Sequence, residues 1–235
     1  MTSTPAYTTQ MPPTPSPRRR RTGPALLVGA GVLLLAAGAI GAVALGVNTA
    51  TSLQEDTVSR SVPGVRELVI DVDEGRIVLR AAAGPDVEVR TTRTWGPGYE
   101  PAVGQELVNG VLTLTSDCPS FNLGCEVEQE IAVPAGTAVR ARTVAGAVDA
   151  VGLDAPRFAA ATVDGAVSAS FARPPDEVTV QTVAGGVRVT VPQDAYRVSA
   201  TTVSGSVRVA LPSDLAADRS IVVRTVAGPI DVSPR

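Results

Sequence analysis

The chain has 235 residues, enough for one ordinary domain with accessory segments rather than two large domains. Its 20 basic residues are all arginine, with neither lysine nor histidine, set against 23 acids for a net charge of −3. The missing residue types exclude a histidine base, a histidine-ligated metal and lysine Schiff-base or Ser–Lys chemistry, so enzyme classes start at a disadvantage.

Residues 1–24 are rich in Pro, Thr and Ser without apolar periodicity, a composition that predicts a disordered tail, with hydroxyls open to phosphorylation. Residues 25–47, ALLVGAGVLLLAAGAIGAVALGV, carry no charge. At about 1.5 Å per residue a helix of this length crosses a hydrocarbon core of roughly 30 Å, so it reads as one transmembrane helix. Arg18, Arg19, Arg20 and Arg21 precede it, and the first charges after it are Glu55 and Asp56. By the positive-inside rule the N-terminus is cytoplasmic and everything beyond is extracytoplasmic, as in a single-pass cell-membrane protein. A cleaved signal peptide is the competing reading, against which stand the length of the apolar run and a poor small-residue cleavage site. Gly38, Ala42 and Gly46 form a small-xxx-small line of the kind that packs membrane helices.

Residues 48–61 read as a polar linker and residues 62–235 as an extracytoplasmic β-repeat domain. After the apolar segment 16 arginines face 23 acids, a net charge of −7. That sign argues against nucleic acid or anionic lipid as the domain's partner, since both need a basic face. DVDEG at residues 71–75 lacks the third alternating acid and distal Glu of a calcium loop and reads as a solvated strand end. Leu68, Ile70 and Val72 before Gly75, with Ile77 and Leu79 after it, form a degenerate copy of the motif described below; Leu107, Gly110, Leu112 and Leu114 suggest another.

Cys118 and Cys125 bracket six residues containing Pro, Asn and Gly. Outside a membrane this pair is expected to close a small-loop disulfide. A zinc half-site lacks further ligands, and free thiols are the remaining alternative. No cofactor is implied.

From residue 142 onward the segment TVxGxV recurs, as TVAGAV, TVDGAV, TVAGGV, TVSGSV and TVAGPI. The glycines are Gly146, Gly165, Gly185, Gly205 and Gly228, a period near 20 residues that signals stacked supersecondary units. Each is preceded by Thr143, Thr162, Thr182, Thr202 or Thr225, and the flanks alternate with period two, which predicts strands with one buried face. The unit is therefore strand, glycine corner, strand, linker, and the fold class is all-β. A hairpin meander and a β-solenoid both fit; the solenoid explains why equivalent positions repeat, because stacked rungs place like residues side by side. A Thr ladder could then chain its hydroxyls and a Val ladder interlock its methyls, with the Thr residues core rather than catalytic. A solenoid ending at Arg235 would leave its last strand unpaired, and Pro229 would blunt that edge and keep the domain monomeric there.

The arginine-rich N-terminus, single membrane helix, Cys118–Cys125 loop followed by EIAVPAGT, and TVxGxV repeats together resemble the actinobacterial putative-adhesin family of single-pass envelope proteins, whose repeat domain is compared with the toastrack domains of envelope-stress regulators. The resemblance covers residues 62–235 and implies a toastrack-like fold but no catalytic residues. Family corners often read Ser-Gly-Asp, whereas this chain has Ala145-Gly146-Ala147 and Ala184-Gly185-Gly186.

Few aromatics follow the apolar segment. Phe158 and Phe171 fall on inward positions, leaving Trp95 and Tyr99 in TWGPGYE and Phe121 in the cysteine loop as candidate contacts. The leading expectation is a non-enzymatic, adhesin-like scaffold binding an envelope component or protein. A transmembrane envelope-stress sensor is the alternative, and a polysaccharide-acting enzyme the third reading.

Overall fold

A computed structural model describes residues 53–97, 100–118 and 124–235. The tail, the apolar segment expected to cross the membrane, and two of the three expected contacts, Tyr99 and Phe121, lie outside the described residues. Every regular element described is a strand. Seven come first: β1 (Gln54–Val62), β2 (Glu67–Glu74), β3 (Ile77–Ala81), β4 (Val87–Trp95), β5 (Ala102–Val108), β6 (Val111–Asp117) and β7 (Glu126–Val133). The five repeats follow as strand pairs: β8 (Ala138–Ala145) with β9 (Val148–Leu153), β10 (Arg157–Asp164) with β11 (Val167–Phe171), β12 (Glu177–Ala184) with β13 (Val187–Val191), β14 (Arg197–Ser204) with β15 (Val207–Val209), and β16 (Ser220–Ala227) with β17 (Ile230–Pro234).

The two strands of a repeat enter different sheets, so the glycine corner carries the chain from one layer to the other. The first sheet runs β1-β4-β7-β3-β9-β11-β13-β17-β15 and the second β14-β16-β12-β10-β8-β2-β6-β5. Repeat strands pair in parallel and in register: Thr162 lies between Thr143 and Thr182, and Val187 between Val167 and Ile230. A hairpin meander would pair the strands of one unit antiparallel within one sheet, which is not what these strands do. Between the layers, Val178, Val180, Val187, Val189 and Val191 are buried, and Phe158 meets Phe171 edge to face at 5.5 Å. Alternation of small and branched inward residues thus fills a narrow core one rung at a time.

The corner glycines are required by contact as much as by backbone angle. Gly146, Gly185, Gly205 and Gly228 have φ between 150 and 155°. A Cβ on Gly185 would lie 1.9 Å from the carbonyl oxygen of Gly165, and one on Gly165 1.9 Å from that of Gly146. Four of the five repeated threonines donate to corner carbonyls. Thr162 Oγ1 donates to Gly146 O at 3.1 Å, Thr182 to Gly165 at 3.2 Å, Thr225 to Gly185 at 3.3 Å and Thr202 to Gly228 at 3.2 Å. The hydroxyls therefore do not chain to one another as expected. Each ties one rung to the corner of its neighbour, because the same carbonyl that leaves a Cβ no room is within reach of the adjacent threonine hydroxyl.

Three further expectations change. The supposed linker contains β1, which pairs antiparallel with β4 from Gln54↔Trp95 to Val62↔Val87. Gly75 is a true corner, but Asn109-Gly110 is the turn of a hairpin joining β5 to β6 in one sheet, with φ 52 and 80°, the left-handed pair that such turns need. The repeated valines two residues before each corner alternate with the buried threonines and so face solvent: Val144, Val163, Val183, Val203 and Val226 are all exposed. The last strand is not an edge. β17 lies between β13 and β15, and β16 between β12 and β14, so the fourth repeat ends the stack and Pro229 is interior. Proline fits there because the corner bonds skip its nitrogen: Gly228 N–H donates to Ser204 O, Ile230 N–H to Ser206 O, and Pro229 O accepts from Val187 N–H.

Candidate functional site

The corner side of the stack gathers most of the features that carry sequence information. Thr143, Thr162, Thr182 and Thr225 point inward and are buried, so the next residue of each strand must point outward. The outcome is a ridge of Val144, Val163, Val183, Val226 and Val203 in stacking order. At about 4.8 Å per rung the ridge is roughly 19 Å long. Val203, on the terminal rung, is 83% exposed and the others 43 to 47%. Beside them stand Ala145, Ala184 and Ala227 before the glycine and Ala147, Ala166 and Pro229 after it. Charge is scarce on this strip, with Asp164 breaking the small-residue column.

Beyond Val144 the same line meets acids. Asp73 takes the valine position on β2, and Val72↔Ser116 pairing sets it beside Asp117 of β6. Burial, together with the hydrogen-bonded Asp117 carboxyl and the neighbouring charges, raises Asp73 above the usual carboxylate range. Sequence spacing hides this pair, since 44 positions separate its members; only the parallel register of β2 and β6 joins them.

Next along this side is the disulfide. Cys118 and Cys125 are bonded, with Cα atoms 5.8 Å apart and both residues buried. Thr94↔Glu126 pairing brings Trp95, the last residue of β4, beside Cys125. Trp95 is half-buried, and the Arg93 guanidinium lies 5.6 Å from its ring centroid. Arg93 also bridges Asp56 of β1 and Glu100, which raises its pKa further above an already high value. The structure thus unites Trp95 with the cysteine pair, and the Arg93 bridge that orients the indole had no motif to announce it.

Between the sheet edges β1 and β5 a cavity of about 390 Å³ is lined by Val58, Arg60, Val89, Thr91, Arg93, Val103 and Gln105. Behind it Thr91 Oγ1 donates to Gln129 Oε1 at 2.8 Å, and Gln129 is fully buried. This end of the stack is therefore polar inside, unlike the valine-filled repeats.

No family model matches the sequence, and no curated protein matches it. Among solved structures the chain is similar to a putative cell adhesion protein from Clostridium sporogenes, at 12% identity and a TM-score of 0.57, covering 77% of this chain and 100% of that one. A putative adhesin from Bacteroides fragilis matches at 11% identity and a TM-score of 0.38 over 76% of this chain and 97% of that one. A putative lipid binding protein from Parabacteroides distasonis matches at 9% identity and 0.26 over 77% and 97%. The likeness to the Clostridium protein is one of fold, and it spans the full length of that chain.

Proposed function

We propose that this chain is a non-enzymatic, adhesin-like binding scaffold of the cell envelope, held at the membrane by residues 25–47 and displaying a toastrack-like β-solenoid outside it. The observation that carries the reading is the corner ridge. Five aligned, exposed valines form an apolar strip on a chain otherwise well supplied with surface charge, and such strips mark contact surfaces. Sterically fixed corners make the strip stiff, so a partner meets it without first ordering it, which lowers the entropic cost of binding. The sequence-level absence of His and Lys and the full-length likeness to a protein described as a cell adhesion protein support the same conclusion.

The test uses the full chain and isolated envelope material from the same cells. Val163→Glu combined with Val183→Glu should weaken retention by at least tenfold, the effect of losing about 1.4 kcal/mol from a contact centre. Retention equal to wild type would remove the ridge from the binding surface and with it this reading.

A further inference from the structure

The two ends of the stack are finished differently, and we propose that the β14/β15 end is a two-fold interface with a second copy of this chain. At this end β14 closes one sheet and β15 the other, each with an unpaired outer edge. Their inward residues are uncovered. Val180 and Val189 are 0% exposed two rungs in, whereas the equivalent Val209 is 39% exposed, Val207 is 45% exposed, and Ala200 is only half-buried. The segment after β15 covers only the start of β14, where Asp214 N–H donates to Tyr196 O at 2.9 Å and Val198 N–H to Ser213 Oγ at 3.4 Å. From Ser199 to Ser204 nothing described lies outside the strand.

Two devices that keep an edge from pairing, proline and inward charge, are missing here, and what guards β15 is its length of three residues and its outward Arg208. Neither strand contains proline, and the inward residues Val198, Ala200, Thr202, Val207 and Val209 are uncharged. The opposite end has such devices: Arg60 and Arg93 face the cavity between β1 and β5, and Asp56 is ion-paired to Arg93. Charged groups at that mouth oppose a neutral apolar rung docking onto it, so head-to-tail growth is disfavoured. A single added peptide strand would complete one sheet and leave the other, and the gap between them, open. A second copy turned by a two-fold axis across the stack presents both edges together, antiparallel to the first pair, and covers the uncharged inward residues of both partners. Symmetry of this kind closes at two.

The experiment uses the full-length chain in non-ionic detergent. Single replacements Ser199→Cys and Thr201→Cys on β14, and Ser59→Cys on β1, are oxidised and run without reductant, while sedimentation gives the mass of the unmodified chain. A dimer mass, a covalent dimer through at least one β14 position and none through β1 is the expected result. Ala200→Lys with Val209→Lys should shift the sedimenting species to monomer while the β-sheet circular dichroism stays unchanged. Overturning results are a monomer at every micromolar concentration, crosslinking through β1, species larger than two, or a dimer that survives the lysine pair without a β14 crosslink, which would place association elsewhere in the chain. If the lysine pair fails to fold, the crosslinks in otherwise unaltered chains decide alone. None of these readouts depends on envelope binding, so the scaffold reading and this interface can fail separately.

Discussion

Replacing Gly185 by alanine tests the reason the corner motif repeats. Its φ of 152° is one that L side chains rarely adopt, at a cost of about 1 to 3 kcal/mol. The added Cβ would also lie 1.9 Å from Gly165 O, so the rungs must separate locally. Separation weakens the Thr182 Oγ1 bond to that same oxygen, worth about 0.5 to 1.5 kcal/mol. Together these predict a loss of roughly 2 to 4 kcal/mol, a large share of the 5 to 15 kcal/mol that folded domains possess. Urea denaturation followed by circular dichroism should show a lower midpoint with an unchanged slope. Gly84→Ala is the control, since a Cβ there meets nothing within 4 Å, and it should leave the midpoint unmoved. Gly205→Ala should cost less than Gly185→Ala, because the terminal rung can move outward while an interior rung is held on both sides. A Gly185→Ala midpoint equal to wild type would refute the close-approach argument, and equal losses at Gly185 and Gly205 would refute its dependence on stacking.

Tyr196 is fully buried, donates its hydroxyl to Pro192 O at 3.1 Å and is pushed up to about 12, chiefly by burial. Its unfolded value is near 10, so the folded state favours the proton; stability should hold below about pH 10 and fall as pH rises toward 12, a fall that Tyr196→Phe should flatten in alkaline denaturation curves. Asp73→Asn removes the like-charge contact with Asp117 and should stabilise the domain by about 0.2 to 1 kcal/mol at neutral pH, with the gain shrinking in acid as Asp73 takes up its proton. Thermal melts at two pH values check this, and a destabilised variant would show that the pair serves as a hydrogen-bonded tie. Pro229→Ser should lower stability by about 0.4 to 1 kcal/mol by freeing the unfolded chain, with no change in sedimentation, because Pro229 is interior.

Periodicity made the repeats legible because their physics is local. A strand with one buried face writes period two, and a corner with no room for a Cβ writes glycine at every turn. Register followed from the same logic for the first three repeats, since Thr143, Thr162 and Thr182 stack as their spacing implies. The outward sense of Val144, Val163 and Val183 follows from the same alternation, because each succeeds an inward threonine. Contacts made across chain distance escaped altogether: Asp73 with Asp117, Arg93 with Asp56 and Glu100, and the pairing of β1 with β4 depend on sheet order rather than on any motif.

The insertion of the last repeat ahead of the fourth has a physical reason that the sequence does contain. The spacing from Gly205 to Gly228 exceeds the others, and the extra residues lie in the 210–219 connection, which carries the chain around the outside of β14 before β16 enters the sheet. The inward residues of the two candidates differ in bulk: Ile221, Val223, Ile230 and Val232 in the fifth repeat against Val198, Ala200, Val207 and Val209 in the fourth. An interior rung is covered on both sides and an end rung on one, so the repeat with more apolar surface gains more from the interior place. Ile221, Val223 and Val232 are indeed 0% exposed there. Placing the smaller, less apolar repeat at the end costs the domain least in solvent, and the same choice leaves the uncharged inward residues Val198, Ala200, Val207 and Val209 open to a second copy.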